Sequence, residues 1–208
     1  MNEKYIAIID YNAGNIKSVY NAFQKIGALI KVTNSPKVIR NARAIVLPGV
    51  GAFGDSMNNL EVFKLTDLIR REIKVKPFLG ICLGLQLLFE YSTEKEHNEG
   101  LGIFKGYVEK IPEGVKIPHI GWNQLKILKK ESKIFRDIND GENFYFVHSF
   151  SAVCENTSII SCATDYGIEL TAGIEKDNIY ALQFHPEKSS LKGLKILENF
   201  LEIVEEEG

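Results

Sequence analysis

An α/β fold with a mainly parallel sheet follows from three features of this sequence. Through residue 90, short apolar runs rich in β-branched residues alternate with segments of helical period, the pattern of right-handed βαβ units. From Phe104 to Phe184 the runs become short, β-like and separated by turns, which reads as antiparallel strands added to that core. One amphipathic helix closes the chain, and nothing between marks a linker, repeat or low-complexity segment, so residues 1–208 are expected to form one domain.

Residues 4–10 are the first strand, with an apolar centre like that of strands buried on both faces. A loop with turn chemistry, Asp10-Tyr11-Asn12-Ala13-Gly14-Asn15, leads into a helix that runs to about Ile26 and stops at Gly27. Its apolar face carries Ile16, Val19, Tyr20 and Phe23. Residues 29–33 form a second strand, Asn34-Ser35-Pro36 a turn, and 44–47 a third strand. Helical stretches around 56–63 and 65–74 precede a strand at 77–81, and a Leu-rich helix then holds Leu87, Leu88 and Phe89. Residues 92–100 read as an exposed polar loop. Further β-like runs fall at 106–111, 122–128, 143–147, 157–163, 169–174 and 179–184. The last helix, 191–204, presents Leu194, Leu197, Phe200 and Leu201 on one face.

The composition excludes several classes. A net charge of −2 gives no global attraction to nucleic acid or membrane. Lys126, Lys129, Lys130 and Lys133 are interrupted by Glu131 and read as solvated surface. Three cysteines without a CxxC spacing argue against a disulfide framework or a zinc site and fit a reducing compartment. The first apolar run is far too short for a signal sequence or a membrane span, so a cytoplasmic protein is expected.

Chemistry concentrates at Gly80-Ile81-Cys82-Leu83-Gly84, between a strand and a helix. This is the cysteine form of the nucleophile elbow, a sharp turn that exposes the central side chain. Its thiol would also lie at a helix N-terminus, where unpaired N–H groups favour the thiolate. Otherwise Cys82 is a small buried hydrophobe, as free cysteines usually are. Pro48-Gly49-Val50-Gly51-Ala52-Phe53-Gly54 contains G-x-G-x-x-G after a strand. It follows the third strand rather than the first, and no acidic ribose ligand ends the next strand, so a dinucleotide site is disfavoured. Such a glycine-rich strand end can instead present backbone N–H groups to an oxyanion.

At Gln183-Phe184-His185-Pro186-Glu187, a histidine and a glutamate two positions apart can share one side of an extended segment. A carboxylate would orient the imidazole as a general base for the cysteine. A surface histidine near a helix start is the bland alternative. Both groups fall at strand ends, where open parallel sheets place ligands, which favours a Cys82–His185–Glu187 triad. His148 and His119 have no carboxylate within two residues and rank below His185 as base; His97 lies in the polar loop. Cys154 and Cys162 lack glycine punctuation and are expected to be inert.

With these motifs assembled, the chain resembles the class I (triad) glutamine amidotransferases along essentially its whole length. Within that family it is similar to the glutaminase subunits of imidazole glycerol-phosphate synthases. The resemblance rests on residues 11–15, PGVGAFG at 48–54, GICLGLQLLFE at 80–90, PHIGWN at 118–123, FYFVHSF at 144–150 and QFHPEKSS at 183–190. The elbow and HPE are common to the class, whereas PGVG, PHIGWN and FVHSF point to this subunit type.

The resemblance implies a flavodoxin-like sheet flanked by helices, with Cys82 as nucleophile, His185 as base and then acid, and Glu187 as orienter. It implies an oxyanion hole from the N–H of Leu83 and one from Gly49–Val50, whose peptide is thought to flip before the hole is complete. Gly51, Gln86, Glu94, His148 and Ser149 match positions that hold or line the glutamine site. Trp122, Asn123, Tyr145 and Lys188 would meet a (β/α)8-barrel cyclase subunit. That partner would use the ammonia, delivered through an internal tunnel, to make imidazole glycerol phosphate and AICAR in histidine biosynthesis. No metal or organic cofactor is implied. Asn12-Ala13 departs from the family, which often has glycine at the first position, but that loop is expected to be non-catalytic. Close relatives that serve other synthases, such as those amidating surface-polysaccharide sugars, share these motifs. A stand-alone cysteine amidase and a non-catalytic scaffold remain the other readings.

Overall fold

The computed structural model describes residues 4–207. In chain order it comprises β1 (Ile6–Ile9), α1 (Ile16–Lys25), β2 (Ile30–Thr33), α2 (Pro36–Asn41), β3 (Ala44–Gly49), α3 (Phe53–Val62), α4 (Thr66–Glu72), β4 (Phe78–Cys82) and α5 (Leu83–Gln86). Then come β5 (Phe89–Ser92), β6 (Asn98–Glu99), β7 (Phe104–Lys110), β8 (His119–Gln124), β9 (Lys126–Ile127), β10 (Asn143–His148) and β11 (Phe150–Cys154). β12 (Ile160–Asp165), β13 (Glu169–Lys176), β14 (Ile179–Leu182) and α6 (Ser190–Glu207) complete it.

The central sheet has eight strands in the order β2-β1-β3-β4-β14-β13-β12-β9. The first five are parallel, and β13, β12 and β9 each run antiparallel to the strand before them. β1 and β14 are buried along their whole length, as strands covered on both faces must be. Ala7 and Ile9 of β1 face the core shared with α3 and α4, while Ile6 and Ile8 face the core shared with α1 and α6. On the latter side Phe23 and Phe200 meet edge to face with centroids 6.4 Å apart. β2 and β3 flank β1 on opposite sides, which opens a crevice at the carboxyl ends of the parallel strands. Cys82 ends β4 there, and the segment after β14 leads to His185.

The mainly parallel sheet agrees with the sequence reading, and four local expectations differ. Pro36 does not merely close a turn; it occupies the first position of α2, where its missing N–H costs nothing. The Leu-rich helix after Cys82 is a single turn. Leu87, Leu88 and Phe89 are all fully buried, so no solvent face exists for a continuing helix. Residues 101, 103 and 104 take the carbonyls of Leu87 and Leu88 as acceptors instead. The polar loop at 92–100 contains β6, which pairs back on β5 through Tyr91–Glu99 and Ser92–Asn98. Of the later runs, β9, β12 and β13 extend the central sheet antiparallel, but β14 inserts as a parallel strand beside β4. β8 and β10 form a separate antiparallel ribbon, and β11, β7, β5 and β6 a four-stranded sheet in which β5 and β7 are parallel.

Candidate active site

Cys82 adopts φ 55° and ψ −108°, a strained backbone for a residue with a side chain and the mark of a nucleophile elbow. Its glycines have separate steric reasons. A Cβ on Gly84 would lie 1.8 Å from the Leu47 carbonyl oxygen of β3, and one on Gly80 2.8 Å from the Gly84 oxygen. Only four residues of helix follow the thiol, so the macrodipole the sequence invoked is small and any stabilisation of the sulfur must come from discrete groups. Besides His185, two polar groups of opposite character face it. The Val147 carbonyl lies 4.0 Å from the sulfur, and Gln183 Nε2 lies 3.6 Å from it.

His185 is reached two residues beyond Gln183, and its Nδ1 lies 2.7 Å from Glu187 Oε1 with both side chains fully buried. The link between them is not the extended segment expected: Pro186 opens a 3-10 turn, Pro186–Lys188, that folds the carboxylate back onto the ring. Burial would lower the His185 pKa, but the Cys82 sulfur and the Glu187 carboxylate together outweigh it and raise it to about 9. Its Nε2 is buried and makes no hydrogen bond of ordinary length, leaving the thiol as the group acting on that side of the ring. The backbone is clamped as well: His185 N donates to the Tyr145 carbonyl at 2.9 Å, and Ser189 Oγ donates to the His185 carbonyl at 2.6 Å.

The first loop, expected to be non-catalytic, grips both sides of the site. Asn15 Nδ2 donates to Glu187 Oε1 at 2.5 Å and lies 3.4 Å from His185 Nδ1. Asn15 itself has φ 75°, a left-handed conformation that asparagine tolerates better than most residues. Tyr11 is fully buried and its hydroxyl donates to the Pro48 carbonyl at 2.8 Å. A Cβ on Gly49 would come within 2.2 Å of that hydroxyl, so the position admits only glycine. Burial, then the nearby Cys82, pushes the tyrosine pKa up and keeps it a donor.

A cavity of about 320 Å³ opens beside Cys82. Val50, Gly51, Leu83, Gln86, Glu94, His148 and Ser149 all border it, so the structure gathers most of the residues the resemblance assigned to the oxyanion hole and to glutamine. Gly49 stands behind this wall, in register with Cys82 across β3 and β4. Glu94 is anchored by the Phe53 N–H at the start of α3, which donates to its Oε2 at 2.7 Å.

His148 is not free to bind or to act as a base through its ring. Its Nδ1 donates to the Phe150 carbonyl at 2.9 Å, which leaves Nε2 as an acceptor for His119 Nδ1 at 3.1 Å. His119 Nε2 in turn faces Asn123 Nδ2 at 3.3 Å. Burial lowers the His148 pKa; the Phe150 carbonyl opposes this, His119 and His185 add to it, and the result is about 4. The ring is a neutral wall element. Cys154 and Cys162 are also unreactive by environment, since burial raises the pKa of both.

On the outer surface, β8 and β10 pair Trp122 with Tyr145. Trp122 is 54% and Ile120 57% exposed on β8, with Asn123 next along the strand, and Lys188 lies on the 3-10 turn that packs against β10. No group of three or more His, Cys, Asp or Glu side chains among the described residues is placed to hold a metal. None of their helices is long and apolar enough to cross a membrane.

The family model for class-I glutamine amidotransferases matches residues 7–204. The chain belongs to that family. It is 55% identical over 195 residues to imidazole glycerol phosphate synthase subunit HisH of Aquifex aeolicus, covering 93% of this chain and 94% of the relative. It is 52% identical over 199 residues to the HisH subunit of Methanothermobacter thermautotrophicus, covering 96% and 98%. Among solved structures, PurLQS from Thermotoga maritima superposes with a TM-score of 0.73 at 20% identity, over 97% of this chain and 99% of that one. Another, described as a glutamine amidotransferase, gives 0.73 at 16% identity over 96% and 98%. These two establish the family's fold here.

Sequence reasoning missed Asn15, Tyr11 and Gln183 as members of this site. The first two lay in a loop read for its turn chemistry and its family resemblance but expected to be non-catalytic, and nothing local says that its side chains reach residues far along the chain. Gln183 stood within the quoted motif, and its position at the strand end, two residues before the base, was the available signal.

Proposed function

We propose that this family member hydrolyses glutamine to glutamate and ammonia through Cys82, His185 and Glu187. The observation that carries the reading is the buried 2.7 Å pair of His185 Nδ1 and Glu187 Oε1 beside a cysteine on a strained elbow. The Cys82 sulfur attacks the carboxamide carbon, and the oxygen takes up the charge opposite the N–H groups of Leu83 and of the Gly49–Val50 segment. His185 gives its proton from Nε2 to the leaving nitrogen, so the C–N bond breaks, ammonia departs and a thioester remains. Water then attacks the thioester with His185 as base, and the C–S bond breaks to release glutamate. Glu94 and the Oε1 of Gln86 border the cavity as acceptors suited to the α-ammonium group of glutamine.

The ammonia is passed to a cyclase subunit built as a (β/α)8 barrel, which docks on the face of Trp122, Asn123, Tyr145 and Lys188. The HisH relatives, named as subunits of imidazole glycerol phosphate synthase, support a synthase partner in histidine biosynthesis; the barrel fold, the products imidazole glycerol phosphate and AICAR, and a cytoplasmic setting complete the proposal. The test uses the assembled synthase. Cys82→Ala should abolish the glutamine-dependent reaction while the reaction fed with free ammonia continues. Retained glutamine turnover would overturn the nucleophile assignment.

A further inference from the structure

Gln183 is fully buried at the end of β14, and its side chain bridges Gln86 and the nucleophile. Its Oε1 lies 2.9 Å from Gln86 Nε2 and its Nε2 lies 3.6 Å from Cys82 Sγ. The two amide orientations are dictated by one backbone atom. The Phe150 carbonyl can only accept, so the Gln86 atom 2.9 Å from it is the NH2 group. The second hydrogen of that nitrogen points to Gln183, whose facing atom must therefore be oxygen. That leaves the Gln183 NH2 for the sulfur. Reversing Gln183 would set an oxygen against Gln86's acceptor-seeking N–H no longer, but nitrogen against nitrogen, and a carbonyl against a sulfur that must carry negative charge.

The two polar contacts of the sulfur with Val147 and Gln183 thus have opposite preferences. The Val147 carbonyl at 4.0 Å favours the protonated thiol, whereas an N–H from Gln183 favours the thiolate. With only one helical turn after Cys82, this donor takes the part that a long helix would otherwise play.

We propose that Gln183 is a further catalytic residue, donating a hydrogen bond from Nε2 to the Cys82 sulfur and stabilising its thiolate in an orientation locked by Gln86 and the Phe150 carbonyl. The inference rests on Cys82 being the nucleophile. The donor acts twice: on the thiolate before attack, and on the same sulfur when the C–S bond of the thioester breaks and the electron pair returns to it. Gln86 is thereby split between two tasks. Its NH2 is consumed inside the protein, and only Oε1 is left to meet a substrate.

The experiment follows carboxamidomethylation of Cys82 by iodoacetamide in the full chain, read by peptide mass mapping, for wild type and Gln183→Met. Near pH 7 the variant should react about tenfold more slowly or worse, as expected for loss of a hydrogen bond to a charged group. Above about pH 10, where ordinary thiols are ionised, the two rates should converge. Equal rates near pH 7, or a deficit of the same size at every pH, would overturn the proposal. Gln183→Glu keeps the shape and the acceptor for Gln86 but loses the donor, and should give the same pattern if the methionine variant does not fold. Gln86→Met, which removes the lock and spares the donor, should show a smaller deficit than Gln183→Met; a larger one counts against the proposal. Alkylation needs no glutamine, so this outcome is separable from that of Cys82→Ala in the synthase assay.

Discussion

Two buried histidines stand within reach of each other's charge in this site, and their environments drive them apart. Burial lowers the pKa of both. For His185 the Cys82 sulfur and the Glu187 carboxylate reverse that and carry it to about 9, while His148, bonded to a carbonyl and a second imidazole, falls to about 4. Burial is the largest influence on both rings, and only at His185 do the partners overturn it. The cationic ring is the one suited to protonate a leaving amine, and the neutral ring can line a cavity without competing for that proton.

The sharpest way to break the contrast is Glu187→Gln. It removes the charge that distinguishes His185 from His148 and should cut glutamine turnover in the synthase complex on the order of a thousandfold, by analogy with loss of the orienting carboxylate in other triads. The His185 titration, followed by NMR, should move downward toward that of His148. Turnover within tenfold of wild type would show that the carboxylate does not orient the base.

The second test acts on the neutral ring. Above 6.5 His148 is neutral in the folded and unfolded chain alike, and its contribution to stability is fully present. As pH falls from 6.5 towards 4, the unfolded chain binds a proton that the folded chain refuses, and stability declines. The ceiling on this loss is about 3 kcal/mol. His148→Gln can keep a donor to Phe150 and an acceptor for His119, and should flatten the acid limb of a denaturant-unfolding series by a measurable part of that amount. An unchanged acid limb would show that the ring's protonation does not govern it.

The smallest expected effect concerns how the cationic pair is held. Asn15→Ala removes the donor to Glu187 without touching the cavity and should lower kcat about tenfold with KM unchanged. A raised KM with kcat intact would place Asn15 in substrate binding instead.

Much of this was legible before any coordinates. Glycines flanking Cys82, a glycine-rich strand end at Pro48–Gly51 and a His-Pro-Glu segment after an apolar run all report local backbone demands, and local demands are written in neighbouring residues. The length of the helix after Cys82 was not legible. Leu87, Leu88 and Phe89 continue the Leu-rich run, yet all three are fully buried and Phe89 opens β5, an inner strand of the four-stranded sheet between β7 and β6. The hydrogen-bond network was illegible for a related reason. Asn15 and Glu187 lie 172 positions apart, and Gln86 and Gln183 97.

By itself the sequence determined the alternation of strands and helices and the parallel first half, and it singled out Cys82, His185 and Glu187 as candidates, because hydrophobic period, glycine punctuation and motif order act over a few residues. Only the tertiary structure decided the state of those groups. A pKa depends on what lies within a few ångströms through space, and here those neighbours come from β1's loop, the β8–β10 ribbon and the end of β14. That is why two histidines of the same type have their pKa values driven in opposite directions, and why a glutamine read as part of a motif came to face the sulfur.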